Sequence, residues 1–169
     1  MRKISFSFFV FFSIILFCSL GTWQIYRLQW KLDLINEINN GLNSQPVFYS
    51  NANVINYQKV KFNGVFDFKK QIFLYSLNNK GVPGFDIITP VKTNSNEILL
   101  VNRGWIKKDL KGNKNIDNIK SKSFEGIVKK ITKPNLFKPE NDIKNNIWYS
   151  LKIEDLENFT GYKLNNFVL

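Results

Sequence analysis

The stretch Met1-Arg2-Lys3-Ile4-Ser5-Phe6-Ser7-Phe8-Phe9-Val10-Phe11-Phe12-Ser13-Ile14-Ile15-Leu16-Phe17-Cys18-Ser19-Leu20 opens with two basic residues, and no further charge follows before Arg27. At about 1.5 Å per residue, a helix from Ile4 through Trp23 spans about 30 Å, the thickness of a hydrocarbon core. An uncleaved membrane anchor is the expectation. A secretory signal also starts basic and apolar, and Ser19 and Gly21 are small enough for a cut. Against it, Leu20 lies between them, the run is long for a signal, and Trp23 sits where an interfacial aromatic belongs. A lipoprotein cysteine at Cys18 is disfavoured by the bulky Phe17 before it. Arg2, Lys3 and the amino terminus favour a cytoplasmic N-terminus, which sends the rest of the chain to the periplasmic side. The run begins too close to Met1 for an organellar transit peptide, so the expected home is a bacterial inner membrane.

Beyond the anchor, the 169 residues leave room for one domain with a single core. Lys and Arg number 24 against 13 Asp and Glu, a formal charge of +11. That charge suits nucleic acid or anionic lipid. The lysines are scattered among asparagines in no dense run and no nucleic-acid motif accompanies them, so a basic face beside anionic lipid is preferred and no nucleic-acid partner is expected. The one cysteine lies inside the apolar run, which excludes disulfides, thiol redox chemistry and thiolate metal sites from the exported part. Histidine is absent, removing imidazole ligands and histidine-based acid, base or nucleophile chemistry.

Working outward, the helical pattern continues to Ile38, and Trp23, Arg27, Trp30, Leu34 and Ile38 recur at spacings of three and four on one face. Arg27 on that stripe has three options: snorkelling to lipid phosphates, stacking on Trp30, or pairing with a carboxylate. Asn39-Asn40-Gly41 is the expected stop. After Pro46 the texture becomes short β-type runs. Strands are expected from Val60 to Phe66 with Gly64 as a bulge, from Gln71 to Leu77, from Phe85 to Val91 and from Ile98 to Val101. Further candidates run from Phe124 to Ile131, Ile147 to Leu151 and Asn166 to Leu169. Lys111 to Lys122 reads as a loop, and a short helix from Ile153 to Phe159 stops at Gly161. The fold class is therefore α+β and membrane-anchored: an anchor at 1–23, a helical extension at 24–42, and an exported domain at 43–169. That domain is a mainly antiparallel sheet, curled or barrel-like, against which the extension can pack.

Three clusters stand out from this texture: Gly21-Thr22-Trp23-Gln24 with Arg27, Trp30 and Lys31; Gly81-Val82-Pro83-Gly84-Phe85-Asp86-Ile87-Ile88-Thr89-Pro90; and Leu100-Val101-Asn102-Arg103-Gly104-Trp105. In this order, together with the Val60 to Phe66 strand and Asn146-Ile147-Trp148-Tyr149, they resemble the surfeit locus one family of cytochrome c oxidase assembly factors. The resemblance covers Gly21 through about Leu169. It implies a non-enzymatic membrane protein that helps build the haem-copper oxidase, around insertion of haem A into subunit I or maturation of that subunit. The implied partners are subunit I or its assembly intermediates, and membrane lipid. Members of the family normally continue through a histidine-containing segment into a second transmembrane helix. This sequence stops at Leu169 with neither, so a single-pass topology is expected, and a haem, if bound, has no histidine ligand here.

Within the clusters, Gly81 and Gly84 are expected as turn or bulge glycines of positive φ, and Pro90 as a strand end. Gly21, Gln24, Thr89, Asn102 and Gly104 complete the motif framework. Arg103 follows Leu99-Leu100-Val101 and is costly to bury unpaired, so it needs either a carboxylate such as Asp86 or an anionic ligand such as a haem propionate. Arg103, Arg27, Trp105 and Trp23 are the candidate haem or partner contacts, with Trp105 equally suited to a core or interfacial place. No catalytic or metal-ligating residue is expected. Two other functions compete. A membrane-anchored Ser-Lys hydrolase would use Ser50 or Ser76, neither of which sits in a recognisable nucleophile setting; a structural scaffold would need no site at all.

Overall fold

The structure is a computed structural model that describes residues 2–50, 54–113, 123–135 and 137–169. It divides into two units, Met1–Asn43 and Ser44–Leu169. The first is a single helix, α1 (Arg2–Asn43), apolar on all sides through its N-terminal half, with a mean hydropathy of 2.0 in its most apolar window. By length and composition it can cross a membrane. Its hydroxyls turn inward to its own backbone: Ser13 Oγ donates to the Phe9 carbonyl at 2.8 Å and Thr22 Oγ1 to that of Cys18 at 2.9 Å. Such bonds leave no unmet donor in lipid. The helix runs through Asn39-Asn40-Gly41, the expected stop, to Asn43. A glycine inside a helix costs only about 1 kcal/mol, whereas Pro46 lacks an N–H and pushes Gln45 out of the helical region.

Among the described residues the second unit has eight strands: β1 (Val47–Phe48), β2 (Lys59–Phe66), β3 (Ile72–Leu77), β4 (Pro83–Thr93), β5 (Ile98–Lys107), β6 (Ser123–Ile127), β7 (Lys129–Lys130) and β8 (Phe167–Val168). Most pairings are antiparallel, but β1 joins β2 and β8 joins β5 in parallel, making the sheet mixed. The longest strand, β4, is its spine. One edge pairs with β5; the other pairs with β3 over its first half and with β2 over its second. Between them a 3₁₀ turn, η1 (Phe68–Lys70), is capped by Asp67, whose carboxylate accepts from the Lys69 N–H at 3.1 Å.

The sheet curls back on itself. β6 pairs with β2, and one residue later β7 pairs with β8, which in turn pairs with β5. The hinge between β6 and β7 is Val128, fully buried and held by bonds from its N–H to the Gln58 carbonyl and from the Tyr57 N–H to its own. The pairing thus runs β2, β4, β5, β8, β7 and through Val128 to β6 and β2 again. Inside the curl lie Val60, Phe62, Val91, Leu99, Val101, Val128 and Phe167. Over the outer face, α2 (Ile153–Thr160) sets Leu156 beside Trp148, Ile72, Ile88, Leu100 and Val168. Burying each such side chain contributes about 1.5–3 kcal/mol. α2 ends where expected, at Gly161, whose φ of 72° suits a residue without Cβ.

Several expectations need correction. Gly64 is not a bulge but a point of close approach, where β2 changes neighbours from β6 to β4 and a Cβ would lie 2.6 Å from the Lys92 carbonyl oxygen. Residues 147–151 form no regular strand. Asn146, at φ 51°, precedes the run, which keeps only a parallel bridge between Trp148 and Leu74 and an antiparallel one between Ile147 and Asp142. The expected loop from Lys111 to Lys122 lies outside the described residues from 114 onward.

Candidate functional site

The Asn102-Arg103-Gly104-Trp105 cluster is a β-bulge. Asn102 faces Ile88 and Trp105 faces Asp86, so Arg103 and Gly104 together oppose the single residue Ile87. Gly104 adopts φ 108°, outside the comfortable range of side-chain-bearing residues, and its N–H is held at 2.9 Å by the Asn102 side-chain oxygen. In an unbroken strand residues 103 and 105 share a face. The extra residue sends them to opposite faces, Arg103 toward Thr89 and Trp105 toward Gly84.

Arg103 reaches across β4. Its Nε donates to Thr89 Oγ1 at 2.9 Å and its Nη2 to Gln71 Oε1 at 2.8 Å. The guanidinium lies 5.1 Å from the Phe68 ring centroid and 6.0 Å from that of Phe66, the two rings being stacked on one another. Thr89 is fully buried, so the arginine supplies a donor to an oxygen that water cannot reach. The chain of bonds goes on: the Gln71 carbonyl accepts from Asn146 Nδ2 at 2.8 Å, and Asn146 Oδ1 accepts from the Trp148 indole at 2.9 Å. Sequence reasoning named Arg103 and Thr89, and Asn146 in another motif, but did not connect them with one another or with Gln71 and Phe68, which lie in separate segments.

Trp105 lies flat over Gly84, where any Cβ would collide with its indole and with the Ile106 carbonyl, and its Nε1 points at the Ser76 carbonyl, 3.4 Å away. Gly84 therefore has ordinary strand geometry, contrary to expectation, and its smallness serves the indole. Gly81 does have positive φ, 76°, in a turn where Asn78 Oδ1 accepts from the Lys80 and Val82 N–H groups, both at 2.9 Å. Pro90 sits within β4 rather than at its end, buried opposite Leu100. It falls where β2 gives way to η1, and its carbonyl accepts from the Asp67 N–H at 2.8 Å. In the helical unit Arg27 takes the stacking option, its guanidinium 5.8 Å from the centroids of both Trp23 and Trp30. Gly21 and Gln24 lie on the same exposed helix.

On the face opposite Arg103 a cleft of about 540 Å³ opens over Leu74, Ile88 and Val168. Lys129, Lys130, Lys133 and Lys138 also line it, and Asp86 is the one acidic side chain among its lining residues. This basic segment was not singled out from the sequence, where its lysines look like any others. Elsewhere, Lys111 sits over Phe73 and Phe85, at 5.3 and 5.4 Å, and its partial burial lowers its pKa against the pull of Asp142. Asp142 is itself held below the usual carboxylate range, chiefly by the Asn145 side-chain amide at 2.8 Å.

The sequence profile of the SURF1 family matches residues 11–169, a span that contains all three motif clusters. This chain belongs to the SURF1 family. The SURF1-like protein of Rickettsia conorii is 31% identical over 170 residues, spanning 96% of this chain and 70% of that protein. That of Rickettsia prowazekii is 33% identical, across 96% of this chain and 68% of its own length. Surfeit locus protein 1 of Gallus gallus is 32% identical over 86% of this chain and 54% of its own length.

Set beside the SURF1 relationship, the hydrolase alternative finds no dyad. Ser76 Oγ is buried without a hydrogen-bond partner among the described residues, and Ser50 is exposed. A Ser-Lys mechanism needs a lysine amine within hydrogen-bond reach of the serine hydroxyl.

Proposed function

We propose that this chain is a non-catalytic assembly factor for haem-copper cytochrome c oxidase, anchored in the bacterial inner membrane with its β unit on the periplasmic side. Membership of the SURF1 family, with its association with cytochrome oxidase assembly, carries the reading. The apolar helix and the basic pair Arg2-Lys3 support the location and orientation. In this reading the β unit steadies subunit I or an assembly intermediate while haem A enters it. The chain offers little for carrying haem A itself. It has no histidine for an axial position. Two of the Arg103 donor nitrogens are committed to Thr89 and Gln71, which argues against a propionate clamp there. The partner contact falls instead to the stripe of Trp23, Arg27 and Trp30, where both indoles are more than half exposed. Exposed indoles at the membrane interface and just beyond it, with a stacked cation between them, suit packing against a partner at the membrane exit.

The test is a reduced-minus-oxidised haem spectrum with oxidase activity, on membranes from a strain lacking the gene and from the complemented strain. The deletion is expected to lose the haem A oxidase signal and keep other cytochromes. The gene restores the signal, while a Trp23→Ala, Arg27→Ala, Trp30→Ala triple variant restores it poorly at equal protein level. An unchanged spectrum in the deletion would overturn the oxidase role, and full restoration by the triple variant would remove the stripe from it.

A further inference from the structure

Phe137 is the most exposed large apolar side chain among the described residues, at 92%. It is not left loose. Asn135 turns the chain beneath it, its side-chain oxygen accepting from the Phe137 N–H at 3.3 Å and its carbonyl from the Lys138 N–H at 3.1 Å, and Pro134 and Pro139 flank the turn. The same segment supplies the four lysines lining the cleft, Lys129, Lys130, Lys133 and Lys138, all exposed, against Asp86 alone. A presented phenyl ring in the same stretch of chain as four exposed lysines fits one environment well: the boundary of an anionic bilayer, where the ring enters the acyl region and the ammonium groups meet phosphates.

We infer that Phe137 and the lysines Lys129, Lys130, Lys133 and Lys138 form a second, peripheral membrane contact that docks the β unit on anionic phospholipid. Folded protein partners favour arginine and aromatic anchors and are depleted in lysine. Lysine's compact, hydrated charge suits loosely ordered headgroups better than a fixed carboxylate geometry. The inference rests on the anchoring helix and not on the oxidase reading.

The test uses the full chain in lipid nanodiscs, with Cys18→Ser and Phe137→Cys carrying an apolar nitroxide label in place of the ring. In discs containing phosphatidylglycerol the label is expected to become more accessible to oxygen than to a water-soluble nickel chelate. In phosphatidylcholine discs, at high salt, or with all four lysines changed to Gln, the preference should reverse. A second label at Val65, 75% exposed, reports the aqueous baseline. A label at 137 that stays aqueous in anionic discs overturns the inference, as does insertion that ignores lipid charge or the lysines. A segment that instead becomes shielded only when a protein partner is added assigns it to that partner and also overturns it. Far-ultraviolet circular dichroism of the Gln variant guards against misfolding. Oxidase content in a strain carrying the same variant reads the assembly role separately.

Discussion

Arg103 adds side-chain hydrogen bonds across three pieces of the β unit already joined by their strand ladders: the bulge on β5, the buried Thr89 on β4, and Gln71 at the start of β3. Removing it strands one fully buried hydroxyl and one amide oxygen, at about 1–3 kcal/mol for an unsatisfied buried group. Arg103→Ala should therefore lower the thermal midpoint of the detergent-solubilised chain by several degrees. Arg103→Lys should recover only part of it, since an ammonium lacks the planar fork that spans both acceptors. An Ala variant with unaltered thermal stability but impaired oxidase assembly would instead assign Arg103 to a partner. The sequence showed that an arginine after Leu99-Leu100-Val101 must be paired. It could not show that Thr89, Gln71 and two stacked phenyl rings are among its partners, because Gln71 and Phe68 lie more than thirty residues upstream.

At the scale of elements, the β4–β5 hairpin depends on two glycines used for unlike reasons. Gly104 provides a backbone angle; Gly84 provides room for an indole. Gly84→Ala should destabilise the fold by about 1–3 kcal/mol through overpacking and displace Trp105, seen as a shifted indole N–H resonance. Gly104→Ala, with nothing near its would-be Cβ, should destabilise through backbone strain and leave the Gly84 cavity filled. Matching indole shifts in both variants would refute this division. The alternation of β2 and the continuous apolar runs of β4 and β5 made those strands legible, and Gly161 marked the end of α2. The bulge was not legible, because its signature is a register between two strands. For the same reason the parallel seats of β1 and β8, each only two residues long, left no pattern to read.

For the whole β unit, closure of the curl gathers residues from both ends of its sequence. Tyr49, just after β1, lies tilted at 48° against Phe167 of β8 with ring centroids 6.1 Å apart, and its hydroxyl accepts from Asn165 Nδ2 at 3.2 Å. Burial, reinforced by the nearby Glu97 carboxylate, pushes its phenol from 10.0 up to about 12. Tyr162, donating to Asp67 at 2.9 Å, is raised as well. For an acid whose folded pKa lies above its unfolded one, the stabilisation is complete below the unfolded value and is lost as pH climbs through the folded one. Alkaline unfolding should thus set in between pH 10 and about 12. Tyr49→Phe should weaken that pH dependence, read by tyrosinate absorbance alongside circular dichroism. A Tyr49 that ionises at the ordinary value in the folded protein would contradict the packing described. Because β8 sits between β5 and β7, the seven described strands before it are all made before the strand that completes their circuit. Until residue 168 emerges, the curl holds an open seam, so its closure waits on the last of these strands to be made and not on the first.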